Sequence, residues 1–130
     1  MSVDAFRKAA EAKDLDAAMD CFTHDAQLHS PVLFRPFQGD EAVRVVLGTA
    51  MSVLGDFRYT DELRSDGAAV LVFRARVGDR EVEGIDLLRL APDGKIEDFT
   101  VMIRPLQGLN AFSAAMAANP DLTAAVAERA

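Results

Sequence analysis

The chain has 130 residues, of which 50% are apolar and 27% are charged, a composition typical of one folded domain rather than a disordered segment. Its formal net charge is −7, and its isoelectric point is about 4.7. An acidic surface repels nucleic-acid backbones and anionic membranes, so we expect neither as a partner.

Cysteine content and hydropathy indicate in which cellular compartment the protein is expected. Cys21 is the single cysteine, so the chain forms no internal disulfide. The start of the sequence lacks the apolar core of a signal peptide, and no apolar run approaches the ~20 residues that cross a bilayer. We therefore expect a cytoplasmic protein.

The first half of the chain predicts three helices and one short strand. Apolar residues recur at helical spacing from Val3 onwards, and Asp14 is placed to cap a second, short helix. Pro31 ends a predicted strand over 26–30. A third helix is expected to begin at Asp40 and to end before Gly55.

The second half changes to the alternating pattern of strands, predicted over 57–63, 70–77, 80–90 and 96–103. A terminal helix follows Pro105, and Asn119-Pro120 breaks it before one or two further turns. Helices followed by antiparallel strands are typical of an α+β fold. We divide the chain into a domain over 1–118 and a helical tail over 119–130.

Gly78-Asp79 predicts a two-residue hairpin turn, because glycine adopts positive φ without strain. This turn sets the register of the two long strands: Arg74 faces Glu83 on one side of the sheet, and Arg76 faces Glu81 on the same side. Opposite charges across a strand pair support this register, since a slip of one residue would mix the two faces.

The other side of the same hairpin is apolar, with one exception. It carries Leu71, Phe73, Ala75, Val82 and Leu88, and the register places Asp86 among them. We interpret Asp86 either as a desolvated acid that contacts a ligand or as a buried structural carboxyl with a hydrogen-bond partner. Gly84 leaves room beside it for Phe73 or for a ligand.

The last strand is apolar on both sides. Phe99, Val101 and Ile103 are expected on one face, and Ile96, Thr100 and Met102 on the other. A strand buried on both faces needs cover on both. We expect a homodimer packed through the outer sheet face; the alternative is that the C-terminal helix supplies the cover.

At this point the chain resembles the nuclear transport factor 2-like superfamily, in its SnoaL-like branch. The segments that carry the resemblance, in chain order, are Lys13 to Ala17, Gln27 to Pro31, Gln38 to Val43, Gly84 to Asp86 and Pro92 to Ile96. The resemblance implies a cone-shaped, highly curved antiparallel sheet wrapped around N-terminal helices, the cystatin-like α+β barrel. It also implies a pocket inside the cone and frequent dimerisation.

The chain retains one of the three functional groups that the resemblance to ketosteroid isomerases implies. The resemblance places Ser30 where ketosteroid isomerases have their base, Phe6 where they have a tyrosine, and Asp86 where they have a protonated acid. Serine is no base at neutral pH without an activator. Epoxide hydrolases of the superfamily need an arginine and two aspartates in the pocket, whereas Val101 stands at one aspartate position. For the SnoaL-type cyclases, Asp86 and His29 are the possible carboxylate and histidine.

We therefore predict a site inside the cone, with Asp86 and His29 as the catalytic candidates; the alternative for His29 is a surface histidine at the end of its strand. Tyr59, the single tyrosine, is expected either to bond a ligand or Asp86 or to be a core residue with its hydroxyl at the rim. The predicted ligand-binding residues are Phe6, Met19, Ser30, Phe57, Tyr59, Phe73, Gly84, Phe99, Val101 and Ile103. We expect no metal and no cofactor, because the two histidines lack ligands at metal spacing.

Three functions remain open on the sequence. The first is binding of a small apolar or amphipathic molecule in the pocket. The second is an isomerase or cyclase that acts on a ring ketone, with Asp86 as the acid and His29 as the base. The third is a dimerisation module without catalysis, in which Phe6, Phe57 and Phe99 fill the pocket.

Overall fold

The computed structural model describes residues 2–129 and has the expected α+β architecture. The helices are α1 (Ser2–Ala12), α2 (Leu15–Met19), α3 (Asp40–Val53), α4 (Leu106–Ala117) and α5 (Pro120–Arg129). The strands are β1 (Phe22–His29), β2 (Phe37–Gln38), β3 (Gly55–Ser65), β4 (Ala68–Val77), β5 (Arg80–Leu90) and β6 (Ile96–Arg104).

The N-terminal helices form as their apolar pattern predicts. Val3, Phe6 and Ala9 share the buried face of α1, which packs into the core. After Lys13 adopts a positive φ of 56°, Asp14 begins α2 by accepting a hydrogen bond from the amide of Ala17 at 3.1 Å. The turn between them lets α1 and α2 pack against each other.

Six strands form one curved sheet in the order β2-β1-β6-β5-β4-β3. Neighbouring strands are antiparallel except β1 and β6, which pair parallel, so the expected fully antiparallel sheet is in fact mixed. β1 also begins four residues before the predicted strand, at Phe22. The longer β1 brings the chain segment before Ser30 alongside β6.

The hairpin between β4 and β5 has the predicted register. Gly78 has a φ of 62°, Leu71 lies opposite Asp86, and Phe73 lies opposite Gly84. We call the face that carries these residues the inner face. On the outer face Arg74 binds Glu83 at 3.1 Å, whereas the guanidinium of Arg76 binds Asp56 at 3.4 Å instead of Glu81.

Two register shifts correct the predicted facing of single residues. A shift between Tyr59 and Asp61 in β3 turns Leu63 outwards to 62% exposure, whereas strict alternation along the predicted strand would place it on the face of Tyr59. A shift near the start of β6 places Ile96 opposite Leu90 and buries it completely, so Ile96 shares the inner face with Phe99. In each case one extra residue reverses the alternation.

The C-terminal helices cover the inner side of the sheet. Phe112 and Met116 of α4 are buried against the same core as Phe99, and Leu122 of α5 is buried beside them. Among residues 2–129 no helix covers the outer face of β6 in this way, and Met102 on that face is 52% exposed. The tail beyond Asn119 forms a ten-residue helix, longer than the predicted one or two turns.

None of the helices in residues 2–129 is long and apolar enough to cross a membrane.

Candidate functional site

A cavity of about 60 Å³ lies between the inner face of the sheet and helices α1, α3 and α4. We call it the inner cavity. Its sheet wall is formed by Phe73, Asp86, Phe99 and Val101, and its helical wall includes Met51 and Met116. Almost the entire lining is aliphatic or aromatic, so a polar group in this wall has few partners.

Asp86 is the buried polar group of this wall, with 5% of its surface exposed. The hydroxyl of Tyr59 donates a hydrogen bond to its Oδ2 at 2.6 Å. Burial raises the pKa of Asp86 from 3.8 to about 7, because the ionised carboxylate loses its hydration, and the Tyr59 hydrogen bond opposes this rise only in part. Near neutral pH the carboxyl is therefore present in both protonation states.

Tyr59 reaches Asp86 because β3 holds it directly opposite Phe73. Its ring packs edge-on against Phe57, with centroids 4.9 Å apart, and Phe57 stacks on Phe73 at 5.1 Å. Burial raises the pKa of Tyr59 well above 10, and the negative charge of Asp86 adds to this effect. The Tyr59 hydroxyl thus stays protonated and acts as a hydrogen-bond donor.

Helix α1 contacts both the ring and the backbone of Tyr59. The guanidinium of Arg7 lies 5.8 Å from the centre of the Tyr59 ring and binds Glu62 at 3.1 Å. The Tyr59 amide donates to Glu11 at 3.2 Å. These contacts tie Tyr59 to α1 as well as to its own strand β3.

A family model for the SnoaL-like domain matches residues 3–99, about three quarters of the chain, in the segment that supplies both Tyr59 and Asp86. The chain belongs to the SnoaL-like domain family. This result and the fold of the solved structures that resemble it confirm the nuclear transport factor 2-like superfamily.

Three solved structures illustrate the relationship. A steroid delta-isomerase from Pseudomonas aeruginosa is 35% identical, with a TM-score of 0.87 over 97% of this chain and 92% of that one. An uncharacterised protein with a cystatin-like fold from Silicibacter pomeroyi is 26% identical, with a TM-score of 0.87 over 90% and 83%. An NTF2-like protein of unknown function from Cytophaga hutchinsonii, at 16% identity and a TM-score of 0.64 over 80% and 88%, shares the fold. The chain matches no curated protein sequence.

Eight of the predicted site residues line the inner cavity of this SnoaL-like chain. They are Phe6, Ser30, Phe57, Tyr59, Phe73, Asp86, Phe99 and Val101. The hydroxyl of Ser30 accepts hydrogen bonds from the amides of Leu33, at 3.0 Å, and Val32, at 3.3 Å, so it stabilises the loop that follows. A serine held in this way has no partner that would activate it as a base.

The other predicted residues lie elsewhere in the SnoaL-like fold. His29 pairs with Thr100 in the sheet and therefore faces outwards, opposite to Asp86, where its ring binds Asp98 at 2.8 Å. Met19 and Ile103 are partly buried against the core without lining the cavity. The structure thus does not bring His29 and Asp86 together.

Gly84 makes room for Phe73 rather than for a ligand. A Cβ at this position would lie 2.4 Å from the ring of Phe73 and 2.4 Å from the carbonyl oxygen of Met102. Because Gly84 has no side chain, the ring of Phe73 can lie against it, and Phe73 forms part of the cavity wall.

Two features of the site lay outside the sequence interpretation. Lys13 lines the cavity, and its ammonium group donates to the carbonyl oxygen of Leu54 at 2.7 Å. Phe112 and Met116 of α4 close one end. Lys13 lies in a turn, where neither helical spacing nor strand alternation predicts the direction of a side chain. The packing direction of α4 depends on tertiary contacts, and the apolar spacing of α4 was the one sequence signal for it.

Among residues 2–129, no three histidine, cysteine, aspartate or glutamate side chains lie close enough to hold a metal ion.

Proposed function

We propose that this SnoaL-like chain binds a small, largely apolar molecule in the inner cavity and holds one oxygen atom of that molecule at Asp86. The observation that carries the proposal is the placement of Asp86: a carboxyl group in an apolar cavity wall, with Tyr59 as its hydrogen-bond donor.

The chemistry of the two side chains defines what the ligand must offer. Tyr59 already donates to Oδ2 of Asp86, so a protonated Asp86 has its own proton to donate. The matching ligand group is an acceptor, such as a carbonyl or phenol oxygen. A charged ligand is disfavoured deep in the cavity, because the apolar walls provide no compensating partners.

The aromatic wall supports the same ligand class. Phe6, Phe57, Phe73 and Phe99 present ring surface to the cavity, and apolar burial of about 25 cal/mol per Å² supplies the affinity. The rings narrow the cavity without filling it, which favours binding over a module in which the pocket is closed.

Calorimetric titration with phenol and with cyclohexanone tests the proposal. We expect both to bind, and binding of the ketone to weaken as the pH rises through about 7, because ionised Asp86 no longer donates a proton. Asp86→Asn should remove this pH dependence. Asp98→Asn is the matched control, since Asp98 lies on the outer face with His29; equal effects of the two variants would contradict the proposal.

The second candidate is an isomerase that acts on a ring ketone, and one observation favours it. The 35% identical structure is a steroid delta-isomerase, and an acid with a pKa of about 7 suits proton donation to a developing enolate. Ser30 and His29 are not placed to act as its base. Incubation with a β,γ-unsaturated cyclic ketone, monitored by absorbance of the conjugated product, decides this candidate: turnover abolished by Asp86→Asn supports it, and no turnover rejects it.

We also propose that two copies of the chain pair through the outer face of β6. Met102 is 52% exposed there, and Phe34 in the loop after β1 is fully exposed. Sedimentation should show a dimer that Met102→Glu dissociates. Leu63→Glu is the control, because Leu63 is also exposed, at 62%, but lies on the distant edge strand β3; a monomeric parent protein would reject the pairing. We place this dimer in the cytoplasm, where the buried thiol of Cys21 stays reduced.

A further inference from the structure

A second space adjoins the inner cavity. It has a volume of about 290 Å³ and lies between α3, α4, α5 and the loop after β1. We call it the outer chamber. Its lining includes Phe37, Leu122 and Val126, and its polar members are the three hydroxyl residues Ser30, Ser113 and Thr123, with no charged side chain.

The outer chamber and the inner cavity share a wall. Ser30, Val46, Phe112 and Met116 line both spaces, so these side chains separate them. Of the four, Met116 is the side chain that can move most easily, because an unbranched thioether has three rotatable bonds and adapts to different neighbours. A rotation of Met116 would join the two spaces.

The inner cavity as it stands is smaller than a ring such as phenol needs, so a ligand held at Asp86 must displace part of the wall that the cavity shares with the outer chamber. A cavity of about 150 Å³ is what holds a benzene molecule, whereas the inner cavity measures about 60 Å³. Pockets for small molecules usually begin at about 300 Å³. The adjoining outer chamber, at about 290 Å³, supplies space of that order.

We propose that the outer chamber is a binding subsite for the apolar tail of the ligand whose oxygen atom is held at Asp86. The ligand is then a narrow, chain-bearing molecule with one acceptor oxygen near its end, and α5 forms the roof over its tail. This inference rests on the proposed function and adds the class of ligand to it.

A series of 4-alkylphenols tests the subsite by calorimetry on the full chain. The probes are phenol, 4-ethylphenol, 4-butylphenol and 4-hexylphenol. Each methylene that enters the outer chamber should increase affinity about fourfold, the equivalent of ~0.8 kcal/mol per buried methylene. We therefore expect a rise of at least tenfold between the butyl and hexyl compounds.

Two alanines of α4 provide a matched pair of variants. Ala117 lines the outer chamber, whereas Ala114 lines neither space, and both are exposed positions of the same helix. Ala117→Leu should remove the gain in affinity from the longer chains, because the larger side chain fills part of the outer chamber. Ala114→Leu should behave as the parent protein. Methyl NMR signals of Leu122 and Val126 should shift with 4-hexylphenol and not with phenol.

The possible results separate this inference from the proposed function. If phenol binds but affinity does not depend on chain length, the subsite is wrong and the proposed function stands. Equal responses of Ala117→Leu and Ala114→Leu would also overturn the subsite. If neither phenol nor any alkylphenol binds to the parent protein, both proposals are wrong.

Discussion

Two hydrogen-bonded pairs lie on opposite faces of the same sheet, and their comparison shows what burial does to a carboxyl group. On the inner face Tyr59 donates to Asp86 at 2.6 Å; on the outer face the ring of His29 binds Asp98 at 2.8 Å. The distances are similar. Asp86 is buried in an apolar wall, whereas the side chains of His29 and Asp98 remain 32% and 26% exposed. Water reaches the outer pair, whereas the apolar wall shields the inner pair from it.

The largest expected effect is the pH dependence that Asp86 imposes on stability. Its folded pKa of about 7 exceeds its unfolded value of 3.8, so the folded state retains a proton that the unfolded state releases. Stability therefore falls as the pH rises from about 4 to about 7, by ~4 kcal/mol at about 1.4 kcal/mol per pKa unit. Below that range both states are protonated, and the effect is absent.

Asp86→Asn removes this titration while its amide oxygen still accepts from Tyr59. We expect the unfolding free energy of the variant, relative to the parent protein, to increase by about 4 kcal/mol between pH 4 and pH 8. Urea unfolding at both pH values measures this difference. A difference that does not change with pH would show that Asp86 is ionised in the folded protein.

A smaller effect on stability is expected from Tyr59→Phe, which removes the hydroxyl group that donates a hydrogen bond to Asp86. The loss should destabilise the protein by about 1–3 kcal/mol at pH 8, because the ionised carboxylate is left without its partner. Since the hydrogen bond lowers the pKa of Asp86, its removal should raise the titration midpoint further. NMR titration of the Asp86 side-chain carbon measures this midpoint. In an Asp86→Asn background the same substitution should have no pH-dependent effect.

The sequence predicted the inner pair more closely than the rest of the site, for a physical reason. The two-residue turn at Gly78 fixes every pair in the hairpin of β4 and β5, so Asp86 was correctly placed on the inner face. The apolar face of α1 and the cap at Asp14 were equally local and equally predictable. Where contacts between residues close in sequence determine the structure, the residue pattern is sufficient to predict it.

The features that were missed depend on interruptions and on distant packing. The register shift in β3 turns Leu63 outwards, and no residue type in that strand marks the extra residue. The facing of His29 follows from the parallel pairing of β1 with β6, which joins strands distant in sequence. The outer chamber exists because α5 packs back onto α3 and α4, a contact that the pattern of α5 alone does not specify.

The smallest effect is expected at the outer pair, and it is the sharpest test of the comparison. Asp98→Asn should change the free energy of unfolding by less than about 1 kcal/mol. A solvent-accessible pair contributes little, because each side chain would otherwise be hydrated by water. Asp86→Asn should change the free energy of unfolding at pH 8 several times more. The two aspartates each accept one short hydrogen bond, Asp98 from His29 and Asp86 from Tyr59. Urea unfolding of both variants in parallel measures the ratio. Equal effects would mean that water enters the inner cavity and hydrates Asp86, and the hydrogen bond from Tyr59 would then no longer distinguish the inner face as the site of ligand binding.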